Sequence, residues 1–118
     1  FGEDLLPSDN ENITIEAWRC DYRNHLVDAL VGASRRLLEA QHPQEGLWFA
    51  RAALQRDRTR EDAYVALARA QLIAGQRTAA METCLLCRRF LTDELGMDPS
   101  VELMRLYHSI IESEEVLV

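Results

Sequence analysis

Cys84-Leu85-Leu86-Cys87 is the first place in this sequence where chemistry could reside. Two cysteines three apart can hold zinc or work as a dithiol redox pair. Zinc requires two further ligands at paired spacing, and the histidines nearest in type, His42 and His108, stand singly in other segments. A redox pair usually opens a helix behind a strand, and no strand pattern precedes Cys84. Both thiols fall on the apolar steps of a helical stretch, where cysteine behaves as a small hydrophobe. The expectation is a reduced, metal-free, buried pair. His25, His42 and His108 have no Ser, Cys or carboxylate at a spacing that makes a nucleophile and its base. The carboxylates, among them Glu61, Asp62, Asp93, Glu94 and Glu112, gather near helix ends, where they suit the helix dipole or face water. No Gly-rich phosphate loop, nucleophile elbow or metal-binding loop is present. The sequence therefore reads as a non-enzyme with no cofactor and no metal, and its function is expected on its surfaces.

Those surfaces are acidic. The 118 residues carry 20 Asp and Glu against 13 basic residues, a net charge of −7. Phosphate backbones are held by basic faces that release counterions, so this segment is not expected to bind DNA or RNA by itself. Every basic residue is arginine, a usage that fits a GC-rich bacterial coding sequence. No apolar run reaches the length of a membrane span, and Phe1-Gly2-Glu3-Asp4 lacks the basic and apolar regions of a signal peptide. Three cysteines without a secretion signal argue against a disulfide framework. A cytoplasmic location is expected, with the chain forming one part of a longer protein.

The elements that position these residues are helices. Residues 1–12 read as an irregular lead-in, with Leu5-Leu6 as an anchor and a polar, turn-like stretch from Pro7 to Asn12. Ile15, Trp18, Tyr22, Leu26, Ala29, Ala33 and Leu37 then step by three or four, the period of one helical face. Asn12 or Thr14 would cap that helix, and Gln41-His42-Pro43 would end it. A second helix is predicted from Gln44 to Asp57, with Leu47, Ala50, Ala53 and Leu54 on one face. Thr59 is placed to cap a third, with Asp62 three residues on, and Gly75 to close it. The fourth carries Ala80, Cys84, Cys87 and Leu91 and stops at Gly96. Asp98-Pro99 is placed to open the fifth, whose apolar face is Leu103, Leu106, Tyr107, Ile110 and Ile111. The tail with Glu112, Glu114 and Glu115 is expected to fray.

An offset of 34 residues makes these helices a repeat. Asp28 pairs with Asp62, Ala29 with Ala63, Val31 with Val65, Arg35 with Arg69, Leu38 with Leu72 and Ala40 with Ala74. The second helices agree in size: Gly46 with Ala80, Leu47 with Met81, Ala50 with Cys84, Ala53 with Cys87. Thirty-four residues is the tetratricopeptide period. Small residues at Gly46, Ala50, Ala53, Ala68 and Ala80 allow close helix approach, and each pair leaves an apolar face that only the next pair covers. The predicted fold is all-α: about five helices in tetratricopeptide-like stacked pairs, forming a right-handed superhelical array. One domain is expected, with a degenerate first repeat over 13–58, a second over 59–97 and a closing helix over 98–114.

Two surfaces are candidates for partners. Val31, Arg35 and Leu38 on one helix and Val65, Arg69 and Leu72 on its repeat mate would form parallel rows on a concave face; the alternative is core packing with solvated arginines. Trp48 and Phe49 either pack against the long first helix or anchor a partner from a second surface.

Thr59-Arg60-Glu61-Asp62-Ala63-Tyr64-Val65-Ala66-Leu67 and Ala74-Gly75-Gln76-Arg77-Thr78-Ala79-Ala80 resemble the central repeat of the bacterial transcriptional activator domain. Asp93-Glu94-Leu95-Gly96-Met97-Asp98-Pro99-Ser100 is the most specific part of the likeness. Phe1-Gly2-Glu3-Asp4-Leu5-Leu6-Pro7, with Glu16-Ala17-Trp18, is similar to that family's opening segment, so the resemblance spans nearly the whole chain. One stretch departs from it: Arg19-Cys20-Asp21-Tyr22-Arg23 is less charged than the family pattern. The resemblance implies a helical module of antibiotic-regulatory-type activators that dimerises and contacts the transcription machinery. DNA binding is then expected from a separate winged-helix domain outside this sequence. A generic peptide-binding scaffold in a multidomain signalling protein is the alternative.

Overall fold

A computed structural model describes residues 9–117, with side chains from 14 to 112. It contains α1 (Asp9–Glu39), α2 (Pro43–Arg56), α3 (Glu61–Ile73), α4 (Arg77–Leu95) and α5 (Val101–Leu117). No strand occurs among the described residues. The all-helical architecture is the one predicted from the 3.6-residue periodicity, and its repeat-like character the one predicted from the 34-residue offset.

Each break between helices has a local cause. Gln41 takes φ 66, and the His42 N–H donates back to the Leu37 carbonyl at 2.8 Å. Pro43 then opens α2, where its missing N–H leaves no intrahelical bond unmade. Gly75 (φ 85) and Gly96 (φ 61) close α3 and α4 in the left-handed region that lacks a steric cost only for glycine. The Gln76 N–H reaches the Gln71 carbonyl at 2.7 Å and the Met97 N–H reaches Leu91 at 2.9 Å, satisfying the last carbonyls of those helices.

Three expected caps change. Thr59 does not cap α3, which has no side-chain cap at Arg60. Its N–H and hydroxyl both donate to the Asp57 carboxylate, at 2.9 and 2.5 Å, and build the α2–α3 turn instead. The Asp98-Pro99 pair lies in irregular chain before α5. The cap is Ser100, whose hydroxyl accepts the Leu103 N–H at 3.2 Å; Glu61 fixes it there by accepting the Ser100 N–H at 2.9 Å. The chain is already helical at Asp9, so Asn12 and Thr14 lie inside α1. The expected anchor Leu5-Leu6 and the side chains of Glu114 and Glu115 lie outside the described residues.

Small residues set the helix pairing. The Ser34 hydroxyl donates to the Gly46 carbonyl at 2.7 Å. A Cβ on Gly46 would lie 3.1 Å from both the Ser34 carbonyl oxygen and Leu38 Cδ2. Backbone thus meets backbone where α1 crosses α2. Thirty-four residues on, Ala68 and Ala80 are fully buried at the same crossing of α3 with α4.

The core has two layers. Val27 and Val31 of α1 and Leu47, Ala50 and Ala53 of α2 pack on Ala63, Ala66, Leu67 and Ala70 of α3. Tyr64, Val65 and Ala68 of α3 pack on Ala80, Cys84, Cys87 and Leu91 of α4 and on Leu103, Leu106 and Ile110 of α5. Both sides of α3 are therefore buried, and Leu54 touches both layers.

One predicted face is not the buried one. The side of α1 that enters the core is Val27, Val31 and Ser34, flanked by Leu30 and Leu38. Ile15, Trp18 and Tyr22 are exposed, at 42%, 65% and 61%, and the two rings of Trp18 and Tyr22 stack at 5.8 Å. At about 100° per residue the two stripes lie roughly 140° apart on the helix. With 31 residues against 14 in α2, α1 outruns its partner, and every side chain described before Leu26 is exposed.

Candidate functional site

α3 packs against α1 on one side and α5 on the other, and the three helices leave an open channel between them. Its first part, about 230 Å³, lies between α1 and α3 and is lined by Arg35, Leu38, Glu39, Ala66, Arg69 and Ile73. Its second part, about 440 Å³, lies between α3 and α5 and is lined by Arg69, Val101, Glu102, Arg105, Leu106 and Ser109. Arg69 lines both.

The channel contains part of each predicted row. Arg35 and Arg69 are exposed at its edges and Leu38 is half-buried in its wall. Val31 and Val65, 3% and 2% exposed, are core residues and offer no side chain to a partner. Leu72 is half-buried against the second layer. The reason is geometric: α1 and α3 each touch neighbours on two sides, so a branched residue one turn before the exposed arginine falls into the seam between helices.

Arg105, Glu102, Ile73 and Val101 complete the channel and were not expected from the sequence. The signal for Arg105 is that it is the lone arginine of α5, as Arg69 is of α3, but its phase is displaced. An offset of 34 from Arg69 lands on Leu103, which is buried. α4 has 19 residues where α2 has 14, so the strict repeat ends with α4.

The channel's charges are only loosely neutralised. Arg35 Nη2 lies 4.0 Å from a Glu102 carboxylate oxygen, both side chains about half exposed, so this pair across α3 is weak. Arg69 and Arg105 form no ion pair among the described residues. By contrast Arg60, outside the channel, is held by Asp28 and Asp62. Guanidinium groups beside the apolar lining residues Leu38, Ala66, Ile73 and Leu106 supply hydrogen-bond donors, and the lining contains no nucleophile–base pair.

The other candidate residues have separate fates. Cys84 and Cys87 are free, buried thiols, in the core positions that their alignment with Ala50 and Ala53 predicts. Burial pushes Cys84 up to about 11. Burial, then the nearby Glu61 and Cys84, push Cys87 up to about 12. Both are thiols at neutral pH, and the thiolate is the reactive form. Among the described residues no group of three His, Cys, Asp or Glu is placed to hold a metal. His25, His42 and His108 are exposed. Trp48 projects from α2, 63% exposed, with its ring edge-on to half-buried Phe49 at 5.0 Å.

No described helix is long and apolar enough to cross a membrane. Residues 10–111 match the family model of the bacterial transcriptional activator domain. No curated protein and no solved structure matches the chain.

Proposed function

Because the chain belongs to the bacterial transcriptional activator domain family, a regulatory and not an enzymatic family, we propose that it is the protein-interaction and oligomerisation module of a cytoplasmic transcription regulator. The observation that carries this reading is the open channel across α1, α3 and α5, with Arg35, Arg69 and Arg105 along it. Stacked helix pairs make extended concave binding surfaces, and arginine beside branched apolar residues suits an interface. DNA contact in this reading belongs to a separate winged-helix domain, consistent with a net charge of −7 here. Self-association is assigned to the exposed aromatics, Trp48 with Phe49 and the Trp18–Tyr22 stack, since uncovered aromatic surface favours a second copy or a component of the transcription machinery.

Two variants test it. Arg35→Ala with Arg69→Ala should abolish activation of a reporter by the parent regulator while the melting temperature of the domain stays put, because both side chains are exposed. Trp18→Ala with Trp48→Ala should shift sedimentation toward monomer. Full reporter output from the first and unchanged sedimentation of the second would make these surfaces ordinary solvated helix faces.

A further inference from the structure

Resting on the reading of the channel as a partner surface, we infer that its occupant is an acidic, extended protein segment. Its carboxylates fall about every third residue, with apolar side chains between. Charge separation within the chain is the first support. The whole molecule is at −7, yet each of the three helices along the channel contributes one arginine to it: Arg35, Arg69 and Arg105. Two of them have no carboxylate partner among the described residues, and the third has only the long contact to Glu102. Guanidinium groups present a planar fork that matches a carboxylate in two parallel hydrogen bonds.

Spacing is the second support. The axes of packed helices lie about 8–10 Å apart, and α3 touches both α1 and α5, so the backbones that carry Arg35, Arg69 and Arg105 recur at about that interval. An extended peptide advances about 3.3 Å per residue, and three residues bridge one interval. The apolar part of the lining is Leu38, Ala66, Ile73, Val101 and Leu106, which suits apolar side chains and offers nothing to a sugar–phosphate backbone. Glu39 and Glu102 also line the channel. They oppose a ligand with a charge on every unit, and a peptide with spaced carboxylates can avoid them.

Glu102 gives the inference a sign. Its carboxylate lies 4.0 Å from Arg35 in the free protein and repels an arriving carboxylate. Neutralising Glu102 therefore tightens an acidic ligand and leaves a neutral one unaffected.

The experiment is fluorescence anisotropy on the full 118-residue chain, with a short labelled peptide bearing Asp or Glu at every third position among Leu and Ala. The control is the same peptide with Asn and Gln. The acidic peptide should bind and weaken with salt. Arg69→Ala or Arg105→Ala should each loosen it about tenfold, the effect of one lost charge-assisted hydrogen bond. Glu102→Gln should tighten it. Circular dichroism melts of each variant separate loss of binding from loss of fold. If the neutral peptide binds as well, the acidic class is wrong and the channel reading stands. If neither binds while Arg35→Ala with Arg69→Ala still silences the reporter, the outcome is the same. If neither binds and the reporter is untouched, both fall. Tighter binding of single-stranded DNA of equal charge would also overturn the inference, in favour of a nucleic acid ligand.

Discussion

Asp28 and Asp62, which occupy the same position of successive repeats, both accept hydrogen bonds from the guanidinium of Arg60. Asp62 takes it in a fork, with Nε at 3.1 Å and Nη2 at 2.9 Å. The Asp62 bond, then that of Asp28, outweighs the opposing effect of burial and holds the arginine firmly protonated. The residue just before α3 thereby ties α1 to the second repeat. Arg60→Ala leaves two carboxylates without their shared cation. It should lower stability by about 1 kcal/mol, a charged hydrogen bond discounted for the exposure of Asp28. The loss should shrink in high salt. Urea unfolding at two salt concentrations measures both, and an equal midpoint for wild type and variant at low salt would refute the role.

Buried polar contacts between helices make an asymmetric prediction. The Thr83 hydroxyl donates to Gln71 Oε1 at 2.6 Å, both residues being buried. Thr83→Val alone strands the Gln71 amide and should cost about 1–3 kcal/mol. Gln71→Leu with Thr83→Val removes both partners and should recover much of that. A double variant as unstable as the sum of the two singles would show that the bond is not the unit that matters.

Thiol burial predicts a loss of stability in alkali. Cys84 and Cys87 are raised from an ordinary value of 9.0 to about 11 and about 12. Between those limits the unfolded chain sheds protons that the folded chain keeps, so unfolding is favoured as pH climbs. The stabilisation is complete below about pH 9 and drains away toward about pH 11–12. Tyr64, raised chiefly by burial, acts in the same direction. Cys84→Ala with Cys87→Ala should flatten the alkaline fall in urea midpoints; an identical slope would assign it elsewhere. At neutral pH a thiol reagent should label exposed Cys20 quickly and the other two only on unfolding.

Two glycine substitutions should fail for different reasons. Gly46→Ala places a methyl 3.1 Å from the Ser34 carbonyl oxygen and from Leu38. Backbone cannot give way as a side chain can, so the overpacking should cost about 1–3 kcal/mol. Gly75→Ala meets open space but takes φ 85, costing about 1–2 kcal/mol of left-handed strain. Gly75→Asn should soften the second loss, because asparagine tolerates that region, and Gly46→Asn should deepen the first. Melting temperatures in the opposite order would reverse the assignment.

Much of this was legible because it is local or periodic. The repeat offset identified the small crossing residues, and Gly46, Ala50, Ala53, Ala68 and Ala80 are all buried. Gly75 and Gly96 declared their turns by type. Periodicity could not say which of two stripes on α1 would be covered, since that depends on where α2 stops. Nor could it separate Val31 from Arg35: both lie near the same side of the helix, and the seam with α3 passes between them. The caps at Thr59 and Asp98 failed because the competing partners, Asp57 and Glu61, are chosen by the fold of the turns. Arg105 was hidden by the extra residues of α4, which break the 34-residue count.

Because α3 is the wall of both layers, the two repeats cannot melt one at a time. Opening the first layer uncovers Ala63, Ala66, Leu67 and Ala70; opening the second uncovers Tyr64, Val65 and Ala68. Either event strips one flank of the same helix, and Leu54 loses a neighbour in both. Unlike a long array, in which a terminal unit can peel from its neighbour, this domain has no unit to spare. Its amides in α3 should exchange with solvent only through global unfolding, and those in the exposed stretch of α1 from Thr14 to His25 by local fraying. If a partner seats in the channel as proposed, it touches the helix on which the whole fold depends, and the domain is then a stiff coupling element.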